Sequence, residues 1–362
     1  MDARKPRETV WRPVEDLPAG AESWGSAHYR ERADRWRDLR SKLQDPAVDR
    51  TLLDIWLRER NRAFAIETGQ IEGLYTLRRG VTEQLIAEGL EGVRAVHAVE
   101  PGLSDETLRG LLQDQHDAIE LVFEAASGQR PLTHHALKSW HQLLTRHQEY
   151  APGVRDGRRV DVPLRRGNYK VWPNNPRRSD GFVHEYCPPE QTRSEMDRLL
   201  AMHHAHRKRQ DLPTDVEAAW LHYEFVRIHP FQDGNGRMAR LLMACVFARN
   251  RECPPVISLE RRQHYILSLE EADRGNLRPF IEFLADLAAL TTSSAITTAE
   301  NVLRGKYQRR HGNGGVTARD RDGTWRYHPP DLTLREQLIL EGRAAPAPGE
   351  HVPPTVRATQ PS

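Results

Sequence analysis

The stretch HPFQDGNGRMAR, residues 229–240, places a turn-forming run between two helical patterns. The preceding TDVEAAWLHYEFVRIH predicts a helix that ends at His229, because a residue before proline is displaced from the α region. Gly-Asn-Gly permits a turn with positive φ. The following RMARLLMACVFARN is apolar on most faces and predicts a buried helix. The stretch therefore predicts two helices joined by a tight glycine turn.

This predicted turn has the features of an anion site. Backbone N–H groups at the start of the second helix point the same way and carry the positive end of the helix dipole, which suits a phosphate. Arg237 and Arg240 lie three residues apart in the first turn, where both can reach phosphate oxygens. Asp233 would compete with the anion unless a cation such as Mg²⁺ joined the carboxylate to it. His229 is placed to deprotonate an incoming hydroxyl.

A purely structural corner, with glycine for the turn and arginine for solvation, would explain any two of these residues but not all of them. At every specified position the stretch resembles the Fic family signature His-Pro-Phe-x-Asp/Glu-Gly-Asn-Gly-Arg-x-x-Arg. The resemblance extends over about residues 50–290. It implies a mainly α fold, a Fic-type helical bundle with a small β-hairpin flap over the active site.

Most members of that family transfer AMP from ATP to a hydroxyl of a protein, so the resemblance implies a protein adenylyltransferase with a Ser, Thr or Tyr acceptor. A related kinase-like branch has Lys at the second glycine, and Gly236 favours AMP transfer over phosphate transfer. Transfer of UMP or phosphocholine stays an alternative. The implied roles are the base, His229; the Mg²⁺ ligand, Asp233; the anion hole, Gly234, Asn235 and Gly236; and the phosphate ligands, Arg237 and Arg240.

Two further segments resemble parts of the family's binding site. RGNYKVWP and FVHEYCPPE, at about residues 165–190, are similar to the flap that binds a target protein by strand addition, although a plain surface hairpin is a close alternative. HYILSLEEADRGNLRPF is similar to the region that packs on the adenine. Tyr265 is therefore assigned to nucleotide binding, with a core aromatic as the alternative. Asp273 stands where the family often has Asn, which leaves the base preference open.

The segment TGQIEG, residues 68–73, fits the family's inhibitory pattern Ser/Thr-x-x-x-Glu-Gly/Asn. The resemblance implies an N-terminal inhibitory helix at about residues 60–73, with Glu72 in a bidentate pair with Arg240 where the γ-phosphate must sit. In some relatives the same Glu helps to remove AMP, so de-AMPylation stays open. The alternative is an ordinary helix end closed by Gly73.

A histidine cluster, HHAH at residues 203–206, places His203 and His206 one helical turn apart, which is a spacing found in metal sites. Because no third ligand is evident, a solvated helix face is the favoured interpretation.

Helical periodicity predicts at least seven helices and one hairpin. It divides the chain into an N-terminal arm and helix (1–47, loosely packed up to about residue 25), a Fic domain (48–300) and a flexible C-terminal tail (301–362) with one short helix at LTLREQLILEG.

The composition excludes several other classes. The 362 residues carry a net charge of +2, from 53 basic and 51 acidic residues, which predicts no global attraction to nucleic acid or membrane. A nucleic-acid regulator, suggested by the basic residues 304–326, stays the rival, although the lack of a visible recognition-helix motif argues against it. Three cysteines without a Cys-x-x-Cys pair favour a reducing cytoplasm, and no stretch approaches the ~20 apolar residues of a membrane span. A homo-oligomer stays open.

Overall fold

The computed structural model describes residues 10–77, 80–89, 104–155, 158–176 and 183–304, and three short strands beyond them. Contacts divide the chain into two units, residues 1–300 and residues 301–362. The described helices are α1 Ala27–Lys42, α2 Thr51–Ile71, α3 Val81–Glu88, α4 Asp105–Ser127, α5 His134–Leu144, α6 Thr192–His206, α7 Thr214–Ile228, α8 Asn235–Arg249, α9 Arg262–Asp273 and α10 Arg278–Leu303.

The first unit also contains a small antiparallel sheet. Strands β1 Tyr150–Arg155 and β2 Arg158–Pro163 pair with Tyr150 opposite Pro163. The mainly α class with a small hairpin is therefore confirmed. The hairpin lies before the predicted flap, however, because residues 165–176 and 183–190 show no paired strands, only isolated bridges, loop structure and the start of a short 3-10 helix, Pro189–Gln191.

The core is centred on α7 and α8. Trp220 and Phe225 of α7 and Leu241 and Phe247 of α8 are at most 2% exposed, and they belong to one hydrophobic cluster that also includes residues of α4 and α10. Each such side chain stabilises the fold by about 1.5–3 kcal/mol through burial. Thus α8 is the predicted buried helix, and the turn before it is anchored in the core.

The N-terminal lead-in is packed against the helices, which corrects the expectation of a loose arm. Val14 is 2% exposed, and its N–H donates to Glu195 Oε2 at 2.7 Å. The indole of Trp220 donates to the Glu15 carbonyl at 2.9 Å, and Arg227 donates to the Arg12 carbonyl at 2.7 Å. Side chains of α6 and α7 therefore satisfy an irregular backbone that has no periodicity of its own.

The second unit contains a small sheet that the sequence analysis did not predict. Residues Tyr307–Arg310, Val316–Arg319 and Trp325–His328 form β3, β4 and β5, an antiparallel sheet in the order β3-β4-β5. The strands contain β-branched and aromatic residues, such as Val316, Thr317 and Tyr327, which are favoured in strands. The predicted short helix at residues 332–342 lies outside the described residues.

Within the described part of the chain, α10 is long and apolar enough to match a membrane span by length and composition. This corrects the expectation that no stretch approaches that length. In its apolar window 61% is buried inside the protein, with Phe280, Ile281 and Leu284 fully enclosed. Its apolar residues therefore serve the helical core.

Candidate active site

His229 follows the last residue of α7 in a left-handed conformation, with φ 49° and ψ 57°. The predicted helix end at this residue is confirmed. A side chain other than glycine in this region is strained by about 1–3 kcal/mol, so the surroundings must hold it. Pro230 then directs the chain away from the helix axis.

The His229 ring is held in one tautomer. Its Nδ1 lies 3.0 Å from the Val226 carbonyl oxygen. Because a carbonyl only accepts, Nδ1 carries the proton and Nε2 keeps a lone pair. The Tyr186 ring stacks on the imidazole at 3.8 Å with an angle of 5° between planes. Burial, followed by the charge of Lys170, lowers the pKa of His229 to about 3, so the ring is neutral and able to accept a proton.

The glycine turn is closed by the side chain of Asn235. Gly234 has a φ of 79° and precedes the first residue of α8. The Asn235 amide accepts from the Phe231 N–H at 2.9 Å and donates to the Phe231 carbonyl at 2.8 Å. The side chain of Asn235 therefore braces the turn, which leaves the backbone N–H groups of the first turn of α8 for an anion.

Arg237 and Arg240 are both 1% exposed. Arg237 donates to Gln148 Oε1 at 2.6 Å and lies 3.5 Å from Asp233 Oδ2. Among the described residues, Arg237 Nε and NH1 and Arg240 NH1 are buried without a hydrogen-bond partner. Each unsatisfied buried donor costs about 1–3 kcal/mol. These nitrogens can therefore donate to an anion that comes within hydrogen-bond distance of them.

Asp233 lies at the edge of this positive cluster, with its side chain 32% exposed. Burial acts to raise its pKa, but the charge of Arg237 and hydrogen bonds from Gln148 and the Gly234 N–H hold the pKa below the usual value. The carboxylate is therefore ionised at neutral pH.

Glu72 reaches the same cluster from the end of α2. Its Oε1 lies 2.7 Å from Arg240 NH2. The Thr68 hydroxyl accepts a hydrogen bond from Arg240 Nε. The Thr68 carbonyl accepts another from Arg240 NH2 at 3.2 Å. The predicted bidentate pair is thus wrong, because only Arg240 NH2 donates to Glu72 and the neighbouring Nε donates to the Thr68 hydroxyl instead. The predicted inhibitory helix is the last part of the longer α2.

Gly236 faces the Glu72 carboxylate directly. A Cβ built on Gly236 would lie 2.3 Å from Glu72 Oε1. The carboxylate therefore sits against the first turn of α8, where the helix dipole favours negative charge. Gly73, with φ 70°, ends the helix as the alternative interpretation expected, so TGQIEG is both a helix end and an anion presented to the site.

Comparison with known proteins agrees with this geometry. Residues 131–247 match the model of the Fic/DOC family. These residues form a Fic/DOC family domain. Over 130 residues the chain is 37% identical to protein adenylyltransferase Fic of Nematostella vectensis, covering 34% of this chain and 27% of that protein. Over 74 residues it is 45% identical to protein adenylyltransferase Fic of Aedes aegypti, covering 20% and 15%. The matches thus span less than a third of these relatives.

Solved structures show the same fold. A Fic-domain-containing signalling protein from Bacteroides thetaiotaomicron VPI-5482 matches with a TM-score of 0.60 and 24% identity, over 76% of this chain and 97% of that chain. Fic-1 from C. elegans, residues 134–508, matches with a TM-score of 0.53 and 22% identity, over 74% of this chain and 71% of that chain. At these identities the likeness concerns architecture.

Tyr265 lies in the core, 5% exposed, and its hydroxyl is 3.0 Å from His222 Nε2. The Arg240 guanidinium stands 5.9 Å from the centre of its ring. Tyr265 therefore packs beside the Arg240 guanidinium within the core, as the alternative interpretation of a core aromatic expected. Asp273 accepts from the Tyr223 hydroxyl at 3.3 Å.

The HHAH cluster is not a solvated helix face. His203 is 1% exposed and lies 3.0 Å from Glu217 Oε1, while His206 is 3% exposed and lies 2.6 Å from Asp16 Oδ1. The N-terminal segment that contains Asp16 covers this side of α6 together with α7, which is why the prediction of a solvated helix face was wrong. Among the described residues, no group of three or more His, Cys, Asp or Glu could hold a metal ion.

Sequence reasoning missed four residues that hold the Fic site together, His141, Gln148, Lys170 and Tyr186. His141 accepts from the Gly167 N–H at 2.9 Å and donates from Nε2 to the Asp233 carbonyl at 3.0 Å, while its ring stacks on Phe231 at 3.8 Å. Burial lowers the pKa of His141 to about 4, which keeps this tautomer neutral. Gln148 donates to Asp233 and accepts from Arg237. No local pattern marks any of the four.

The predicted flap lies across the His229 turn. Tyr169 forms an isolated antiparallel bridge with Phe231, and Asn174 donates to the Phe231 carbonyl at 2.7 Å. Trp172 is 69% exposed and Val171 is 46% exposed. The segment therefore covers the turn on one side and presents apolar side chains to solvent on the other.

The turn predicts a stability effect for Asn235→Ala. Removing the amide leaves the buried Phe231 N–H without its acceptor, so we expect unfolding to be easier by about 1–3 kcal/mol. Urea denaturation followed by circular dichroism measures this change. Asn250→Ala, which removes an exposed amide at the other end of α8, is the matched control and should change stability by less than about 0.5 kcal/mol. Equal effects in the two variants would contradict the bracing role.

Proposed function

We propose that this chain is a protein adenylyltransferase that transfers AMP from Mg·ATP to a Ser, Thr or Tyr hydroxyl of a target protein. The observation that carries the proposal is a neutral His229, with Nε2 free to accept, placed just before a set of buried guanidinium donors without partners. The relatives named protein adenylyltransferase Fic support the same reaction.

In this proposal His229 is the general base. Nε2 takes the proton of the acceptor hydroxyl, the hydroxyl oxygen attacks the α-phosphorus, and the bond from that phosphorus to the bridging oxygen breaks to release pyrophosphate. A pKa of about 3 is too low for an efficient base at neutral pH. The negative charges of bound ATP favour the protonated imidazole and raise that pKa. The base therefore becomes effective when the nucleotide is present.

The phosphate groups would be held by the donors that lack partners. Arg237 offers Nε and NH1, Arg240 offers NH1, and the first turn of α8 offers backbone N–H groups. Guanidinium groups fit phosphate oxygens through paired N–H donors. These donors lie in the first turn of α8, directly after the turn that follows His229, so phosphates bound there would lie close to the proposed base.

Asp233 fits a Mg²⁺ ligand. It is the ionised carboxylate beside the phosphate donors, and Mg²⁺ is commonly bound by one or two carboxylates together with substrate phosphates. When bound, the ion would neutralise charge that develops on the phosphate oxygens. Gln148 and Arg237 orient the carboxylate through its Oδ2.

Glu72 acts in this proposal as an internal inhibitor. Its carboxylate contacts Arg240 and lies against Gly236, so it occupies the positive space that a terminal phosphate would need. ATP then binds with its α-phosphate poorly aligned, and alignment is much of the barrier in such transfers. Whether Glu72 also helps to remove AMP is tested by incubating AMP-modified target with the wild type and with Glu72→Gln.

The target would bind along the flap at residues 165–190, where Trp172 and Val171 are exposed. The three free cysteines are buried, which suits a reducing compartment, and we propose a cytoplasmic location that cell fractionation can test.

The first prediction concerns the base. His229→Ala should lower AMP transfer by about 100-fold or more, because general-base catalysis contributes about 10²–10⁴-fold. ATP affinity should change little, since the phosphate donors remain. Transfer is measured with labelled ATP and a cell lysate, and affinity by calorimetry. His204→Ala, which removes a half-buried histidine far from the turn, is the control. Full turnover of His229→Ala would exclude this base.

The second prediction concerns the metal. Asp233→Ala should reduce transfer at low Mg²⁺, and raising the Mg²⁺ concentration should restore it only in part, because one carboxylate ligand is lost. Initial rates are measured across a Mg²⁺ titration and in EDTA. If the wild type keeps its rate in EDTA, the metal assignment fails.

The third prediction concerns inhibition. Glu72→Gly should raise AMP incorporation by about tenfold or more, equivalent to about 1.4 kcal/mol in the barrier, because Arg240 is freed for phosphate. Gly236→Ala should not reproduce this gain, because the new methyl group would itself occupy the space beside the first turn of α8 that the terminal phosphate needs. Initial rates at fixed Mg·ATP are measured for both variants.

Two controls distinguish the loss of inhibition by Glu72 from a general destabilisation of α2. Arg58→Gly weakens an exposed position of the same helix by about 1 kcal/mol and should not raise the rate. The double variant Glu72→Gly with Arg240→Ala should fall back, because the gain needs the guanidinium. If Glu72→Gly is no faster than wild type, on itself and on lysate proteins, inhibition by Glu72 is excluded.

A further inference from the structure

Lys170 of the flap contacts the chain on both sides of His229. Its Nζ donates to the Ile228 carbonyl at 3.2 Å, and its backbone N–H donates to the Pro230 carbonyl at 2.8 Å. The Nζ also donates to Asn174 Oδ1 at 2.9 Å. The residue is 3% exposed, so these contacts are enclosed. One residue therefore holds the carbonyl groups that precede and follow His229.

Such a clamp has a clear physical purpose at this position. His229 is a non-glycine residue in the left-handed region, a conformation that persists only where the surroundings enforce it. The carbonyl groups at the end of α7 lack partners within the helix and carry the negative end of its dipole. A buried ammonium group satisfies the Ile228 carbonyl and complements that dipole. Its removal would let the turn relax.

We propose that Lys170 is a positioning residue whose ammonium group clamps the left-handed turn at His229 and fixes the direction of Nε2 toward the acceptor hydroxyl. The inference rests on the proposed function, since it concerns the aim of the proposed base. Lys170 touches neither the phosphate donors nor Asp233 among its contacts within the described residues. Its effect on the reaction is therefore on turnover and not on binding of Mg·ATP.

The clamp is sensitive to pH. Burial lowers the pKa of Lys170 to about 8. The titratable groups that face it are Cys187 and Tyr186 on the flap and His229 at the end of α7. Burial raises the pKa of Cys187 to about 11 and raises that of Tyr186, whereas the pKa of His229 is lowered to about 3. Lys170 alone of this group changes charge near pH 8, so the clamp weakens as pH rises through that value.

The test uses the full chain with Glu72→Gly, alone and combined with Lys170→Met, Lys170→Arg or Lys208→Met. Lys170→Met should lower kcat by about 10- to 100-fold, the effect of a misplaced reacting group, with the KM for Mg·ATP within about twofold. The Glu72→Gly chain should lose kcat above about pH 8, whereas Lys170→Arg should lack this alkaline limb because guanidinium stays charged. Lys208→Met removes an exposed lysine in the turn that follows α6 and should match Glu72→Gly in rate and pH profile.

Hydrogen exchange gives a second readout that does not depend on transfer. The amides of His229 and Phe231 should exchange at least about fivefold faster in Lys170→Met, and at the unchanged rate in Lys208→Met, because the turn opens locally. If no variant transfers AMP but exchange accelerates in Lys170→Met, the proposed function fails and the clamp stands. If exchange is unchanged, or if Lys170→Arg keeps the same alkaline limb, the clamp is overturned. Should Lys170→Met fail to fold, the shape of the Lys170→Arg profile decides.

Discussion

The burial of two guanidinium groups in the first turn of α8 is the constraint on which the rest of the site depends. A buried charge left without partners costs several kcal/mol, so Arg237 and Arg240 require acceptors from other elements. Gln148, after α5, serves Arg237, and Thr68, in α2, serves Arg240. The charges at one helix end therefore fix the loop after α5 and the C-terminal part of α2. Packing of apolar residues around α8 provides the rigid base on which this occurs.

These acceptors leave the site only partly satisfied. Three buried guanidinium nitrogens of Arg237 and Arg240 have no partner among the described residues, and the start of α8 still favours negative charge. Glu72 supplies one carboxylate oxygen to one N–H of Arg240 and is 28% exposed, so it is an incomplete anion for this space. A polyphosphate carries more charge and more acceptors. Because coupling between two ligands of one site is reciprocal, whatever moves Glu72 away strengthens phosphate binding, and phosphate binding in turn weakens the hold on Glu72.

How much the sequence predicts depends on how locally each feature is determined. The helix end at His229, the glycine turn and the buried α8 follow from neighbouring residues, and all three are seen. The Glu72 contact joins residues far apart in the chain, and only the family resemblance indicated it. His141, Gln148, Lys170 and Tyr186 were missed because each is a common residue type whose role arises from tertiary contacts. His203 and His206 were wrongly predicted to be exposed, because a helical pattern does not reveal that an irregular segment covers the helix.

In the proposed reaction, the electrostatic state of His229 connects the base to the same group of anion-binding donors. Burial and the charge of Lys170 both favour the neutral ring, which suits the ground state, but they also make the ring a poor proton acceptor. Negative charge brought next to Arg237 by a nucleotide acts in the opposite direction and brings the pKa of His229 closer to neutral pH. The Lys170 clamp can therefore hold the strained turn without permanently weakening the base. In the proposed reaction, proton acceptance by His229 would become favourable once phosphate groups lie beside Arg237, so geometry and basicity would be matched only in the complex that reacts.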